Sequence, residues 1–93
     1  MWVIERDTGN SRKSADKHGV SQAEAEQVFF NDPLVLADLA HSGSEARFHA
    51  LGRTDEARLL HVTFTLRGGG ARIRVISARA MHRRERRIYE QAP

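Results

Sequence analysis

The sequence predicts an α+β domain in which helices cover one face of a mainly antiparallel sheet. Three observations carry this reading. Residues 58–66 alternate cleanly, with Leu60, Val62, Phe64 and Leu66 on one side and His61, Thr63 and Thr65 on the other. Gly68-Gly69-Gly70 then joins this run to a second β-type run, residues 71–76, as a hairpin. Ser21 followed three residues later by Glu24 forms a capping box that opens a helix.

Residues 1–5 are rich in β-formers and read as a first strand. Asp7, Thr8 or Asn10 can cap a first helix running to about Lys17, polar almost all round, with Gly19 just past its end. The second helix follows Ser21, with Val20 and Ala25 as a hydrophobic staple and Ala25, Val28 and Phe29 on one face. Asn31-Asp32-Pro33 stops it, because a residue before proline avoids the helical region. Residues 34–39 are apolar and read as either a strand or an irregular segment. Residues 47–52 read as a strand and residues 54–57 as a polar connection. In residues 71–76, Ile73 and Val75 share a face opposite Arg72 and Arg74. Ser77 is placed to cap a final helix, with Ala78, Met81 and Ile88 as its core contacts. The expected order is an N-terminal strand, two helices, a three-stranded antiparallel meander and a C-terminal helix, in one domain spanning residues 1–93.

The chain has no cysteine, which excludes disulfides and thiolate zinc sites. Its five histidines show no metal-ligand spacing, so neither metal nor cofactor is expected. No run approaches the roughly 20 apolar residues that span a bilayer, and the first residues lack a signal-peptide pattern. A small cytoplasmic protein is expected, with no membrane association. The net charge of +3 hides an asymmetry. Residues 67–93 hold eight arginines and two acids, whereas residues 1–66 carry seven basic and ten acidic groups. A basic end built from arginine suits phosphate, which guanidinium grips bidentately. The glycine triplet is not a phosphate loop, since no Lys-Ser/Thr follows it.

Several motifs, in order along the chain, resemble the BrnT family of toxins. They are Lys17-His18-Gly19-Val20-Ser21, Val28-Phe29-Phe30-Asn31-Asp32-Pro33, Glu45-Ala46-Arg47 with Leu51-Gly52-Arg53, Arg58-Leu59-Leu60-His61-Val62, Ile73-Arg74-Val75-Ile76-Ser77-Ala78-Arg79, and Arg84-Glu85-Arg86-Arg87-Ile88-Tyr89. The family usually opens with Trp-Asp, where this chain has Arg6 before Asp7, and Ser14 stands where an Asn is common. The resemblance implies a RelE-like fold and a type II toxin that cleaves RNA and halts growth. It also implies a cognate BrnA-like ribbon-helix-helix antitoxin, a dimer in that complex, and operator DNA bound through it.

Metal-independent RNA cleavage needs a base for the 2′-hydroxyl, a clamp for the pentacoordinate phosphate and an acid for the leaving oxygen. Arg79 leads the candidates, expected in the first turn of the last helix, where N–H groups also favour phosphate. The bland alternative is a surface arginine paired with Glu85 or Glu90. Lys17 and His18 offer a cation beside an imidazole, or a helix C-terminal pair complementing the dipole. Glu45 and Arg47 share a strand face as base and clamp, or as a solvated ion pair. Arg53 completes the catalytic set. His61 reads first as a satisfied strand histidine and second as a site-facing imidazole. His49 and His82 read as solvated, and Glu85 as a further candidate. Arg79, Arg83 and Arg86 form one helical ridge that, with Arg67 and Arg74, suits an RNA track. The competing reading is a non-catalytic nucleic-acid- or antitoxin-binding module, a degenerate toxin acting as a repressor partner.

Overall fold

The computed structural model describes residues 4–5, 19–40, 43, 45–68 and 72–92. The expected first helix to Lys17, Lys17 and His18 themselves, and Trp2 lie outside the described residues. Five strands form one sheet: β1 (Ile4–Glu5), β2 (Leu34–Ala37), β3 (Arg47–Arg53), β4 (Leu59–Arg67) and β5 (Arg72–Ala80). Their order is β1-β5-β4-β3-β2, with β1 parallel to β5 and every other pair antiparallel. Among the described residues there are two helices, α1 (Gln22–Phe30) and α2 (Arg83–Gln91).

The capping box opens α1 as the sequence indicates. The Glu24 N–H donates to Ser21 Oγ at 3.1 Å, and the Ser21 N–H donates to Glu24 Oε1 at 3.1 Å. The Ser21 N–H, with Arg58 beside it, holds the Glu24 carboxyl below its usual range. Ala25, Val28 and Phe29 of α1 pack with Val20 against Ala50, Leu60, Val62, Phe64, Ile73 and Ala78. Helix and sheet come close because residue 52 is glycine. A Cβ there would meet Val28 Cγ1 at 2.8 Å. Beyond α1, Asn31 Nδ2 donates to the Arg53 carbonyl at 3.0 Å, and Gln27 Oε1 accepts the Asp55 N–H at 3.0 Å. The helix end is thereby tied to the β3–β4 turn.

Four expectations are corrected. The meander has four strands, because residues 34–37 pair with residues 48–51 and form the sheet's outer strand. Ser77 is not a helix cap. β5 runs on to Ala80, since residues 77–80 find ladder partners in residues 60–63 of β4. The last helix starts only at Arg83, after His82, whose N–H donates to Glu85 Oε1 at 2.8 Å. Arg79 is therefore a strand residue. Ala78 and Met81 are buried as expected, but Ile88 is 41% exposed.

The longer strand carries a bulge. Thr63 pairs with Ser77 and Phe64 with Val75, so Ile76 has no opposite number on β4. One extra residue reverses which side chains face which way. Ile73 and Val75 face α1, and so does Ala78, which an unbroken alternation would have turned away. Arg79 then falls on the opposite face, beside His61.

Candidate active site on the second face of the sheet

The register places three rows of side chains on the face opposite α1. Leu51, His61 and Arg79 form one row, His49, Thr63 and Ser77 the next, and Arg47, Thr65 and Arg74 the third. α2 lies against this face through contacts with β3 and through Glu85, so the two described helices sit on opposite faces of the sheet, not on one face as expected.

Arg79 is gripped edge-on. Its Nη1 donates to Glu85 Oε1 at 2.7 Å and to the Ala80 carbonyl at 3.2 Å, and its Nη2 donates to Glu85 Oε2 at 2.8 Å. A guanidinium has five donors in a planar fork. This pairing uses the Nη1–Nη2 edge and leaves the Nε–Nη2 edge without a partner among the described residues. The bond from Arg79, helped by the His82 N–H, pulls the Glu85 carboxyl down to about 2. The same pair holds the Arg79 guanidinium protonated more firmly than usual.

His61 lies across from Arg79, its Nε2 3.7 Å from Glu85 Oε2. Burial, with Arg79 and His49 nearby, pushes its imidazolium down to about 4, so at neutral pH the ring is uncharged. Its Nδ1 is buried without a hydrogen-bond partner, as is Thr65 Oγ1. The His61 ring lies 4.8 Å from that of His49. His49, expected to be solvated, is half-buried with both ring nitrogens engaged. Its Nε2 sits 2.8 Å from Asp38 Oδ2 and its Nδ1 3.0 Å from Thr63 Oγ1. Nothing in the local sequence marks Asp38 as its partner, because only the β2–β3 pairing brings them together.

Of the sequence-derived candidates, Arg79, Arg53, Arg47, Arg74 and Arg67 fall on this face by strand register. Glu45 is engaged by Arg67, with Arg67 Nε 3.2 Å from Glu45 Oε2. Arg53 stands exposed at the opposite end of β3 from Arg47, roughly 20 Å away at about 3.3 Å per residue, so the two do not act together. Arg83 and Arg86 are exposed on α2, and Arg79 is not part of their ridge. His82 is exposed, as expected. Among the described residues, no helix is long and apolar enough to cross a membrane.

The family model for the BrnT ribonuclease toxin of type II toxin–antitoxin systems matches residues 7–85, which include both Arg79 and Glu85. The chain belongs to the BrnT family. It is accordingly a toxin-family protein of a system that pairs each toxin with an antitoxin. The fold is similar to the crystal structure of the Brucella abortus ribonuclease toxin BrnT, at TM-score 0.63 and 21% identity, over 88% of this chain and 96% of that one. No curated protein matches the chain.

The site makes stability fall in acid, in two steps. His61 is neutral in the fold down to about 4 but takes a proton at its ordinary 6.5 when unfolded. Its contribution is complete above 6.5 and is lost as pH falls from there toward 4. Glu85 is depressed to about 2 from 4.5, so its contribution is present above 4.5 and lost between 4.5 and about 2. Urea midpoints measured from pH 7 to 3 should therefore decline in both intervals. Glu85→Gln should flatten the lower one and leave the upper. An unchanged lower interval in that variant would break the assignment.

Proposed function

We propose that this BrnT-family protein is an endoribonuclease toxin that cleaves RNA by attack of the 2′-hydroxyl on the adjacent phosphate, without a metal. Arg79 carries the reading. Glu85 fixes its guanidinium by one edge, and the second edge is a preformed fork for phosphate oxygens. Charge developing on the pentacoordinate phosphate then meets a cation that needs no reorganisation. Arg47 and Arg74, two rows over, the half-buried Arg67 and the exposed Arg83 and Arg86 supply the track for neighbouring phosphates. Lys17, His18, Glu45 and Arg53 remain in this reading as further candidate residues of the site. Its partner is a BrnA-like ribbon-helix-helix antitoxin, whose complex with the toxin is a dimer that binds operator DNA in the cytoplasm. A RelE-like arrangement of the whole domain belongs to the same proposal.

Incubation of the purified protein with single-stranded RNA in excess chelator tests the chemistry. New 2′,3′-cyclic phosphate ends are expected. Cleavage that appears only on adding a divalent cation would remove the metal-free mechanism. Binding without any cleavage would favour the non-catalytic module.

A further inference from the structure

We propose that His49 is the general base that takes the proton from the attacking 2′-hydroxyl, with Asp38 as its positioning residue. This rests on the ribonuclease reading above. The geometry is that of a carboxylate, an imidazole and a hydroxyl in line. Asp38 Oδ2 lies 2.8 Å from Nε2, and Thr63 Oγ1 lies 3.0 Å from Nδ1. Asp38, acceptor-only when ionised, accepts a hydrogen bond from the Nε2–H and so fixes the tautomer. The lone pair is thus left on Nδ1, and the Thr63 hydroxyl donates to it. A ribose 2′-hydroxyl is the same kind of donor and would take over Nδ1 from Thr63, whose own side chain is buried, from the exposed side of the His49 ring.

Two further observations single out His49. Its row lies between Arg79 on one side and Arg47 with Arg74 on the other, so a phosphate chain held by these cations crosses it. Its side chain is 28% exposed, against 12% for His61, whose free nitrogen is sealed. The charged groups that face His49 are Asp38 after β2, Arg47 on its own strand and, beyond the His61 ring, Arg79 and Glu85. Asp38 balances the imidazolium when it forms.

The step is balanced within the substrate. The 2′-O–H proton passes to Nδ1, the 2′-O–P bond forms and the P–O5′ bond breaks. The 5′-oxygen takes a proton from water, and His49 returns its own to solvent. The products are a 2′,3′-cyclic phosphate and a 5′-hydroxyl, with no other reactant.

Single-turnover cleavage of a short RNA, with thermal melting and RNA affinity alongside, tests this. His49→Gln keeps hydrogen-bonding capacity but cannot take the proton. It should melt and bind RNA as the parent does while cleaving about 10²–10⁴-fold more slowly. Asp38→Asn can still accept the hydrogen bond from Nε2–H but no longer balances the imidazolium charge. It should reduce the single-turnover rate at saturating RNA while leaving RNA affinity and melting at the parental values. His49→Gln cleaving at the parental rate would overturn the assignment and leave the ribonuclease reading standing. Loss of folding or binding in His49→Gln in step with cleavage would show a merely structural staple and overturn it too. A parent protein that leaves RNA intact removes the ribonuclease reading, and this role with it.

Discussion

Arg79→Ala is expected to relieve growth arrest when the chain is expressed in cells and to slow RNA cleavage by about 10²–10³-fold, the usual loss when one donor to a developing oxyanion is removed. The loss follows from what the guanidinium does, not from charge alone. Glu85 occupies one edge with two bonds of 2.7 and 2.8 Å, so a phosphate can only be met by the other edge. Arg79→Lys should therefore fail nearly as badly, because an ammonium cannot pair with Glu85 and present a second fork to phosphate. Alanine also leaves the Glu85 carboxylate without its main partner, and a half-buried charge deprived of its counter-ion destabilises a fold. Thermal melts of both variants separate that effect from catalysis, since Arg79→Lys retains a cation for Glu85. An Arg79→Ala protein that is folded and still fully toxic would remove Arg79 from the mechanism.

Arg79 also shows what could and could not be read from the residues. Its pairing with Glu85, the bland alternative, was legible and is what the fold shows. In the proposed reading that ion pair also orients the guanidinium. Its location was not legible. Ser77 is a good cap residue and Ala78-Arg79-Ala80-Met81 has good helix formers, so local propensity favoured a helix from residue 78. Ladder pairing with residues 60–63 overrode that preference and extended β5 to Ala80. The capping box at Ser21 and Glu24 was legible because all its atoms lie within one turn. The Asp38–His49–Thr63 line was not, because its members are 11 and 14 residues apart and meet only across β2, β3 and β4. Residues 34–37 were ambiguous for a related reason. A short apolar run carries no periodicity that separates a strand from a loop, and only pairing with β3 decides it.

Phe64→Ala is expected to cost about 3–5 kcal/mol, a large part of the roughly 5–15 kcal/mol that holds a small domain folded. Phe64 is 1% exposed and stands where α1 meets the sheet. Its ring packs edge-on against Phe29 at 5.1 Å and stacked with Phe48 at 5.5 Å, so alanine removes two aromatic contacts and leaves a cavity between helix and strand. The residue also borders the bulge, being paired with Val75 next to the unpaired Ile76. The same packing that buries Phe64 therefore holds the register shift that turns Arg79 away from the core. Phe64→Leu fills most of the volume and should retain both fold and cleavage at reduced stability. Urea denaturation followed by circular dichroism measures the cost. A Phe64→Ala loss of about 1 kcal/mol or less would mean that the α1–sheet contact is not the main core. If Phe64→Leu stays folded but loses cleavage, the bulge rather than the bulk of the core is what that side chain maintains.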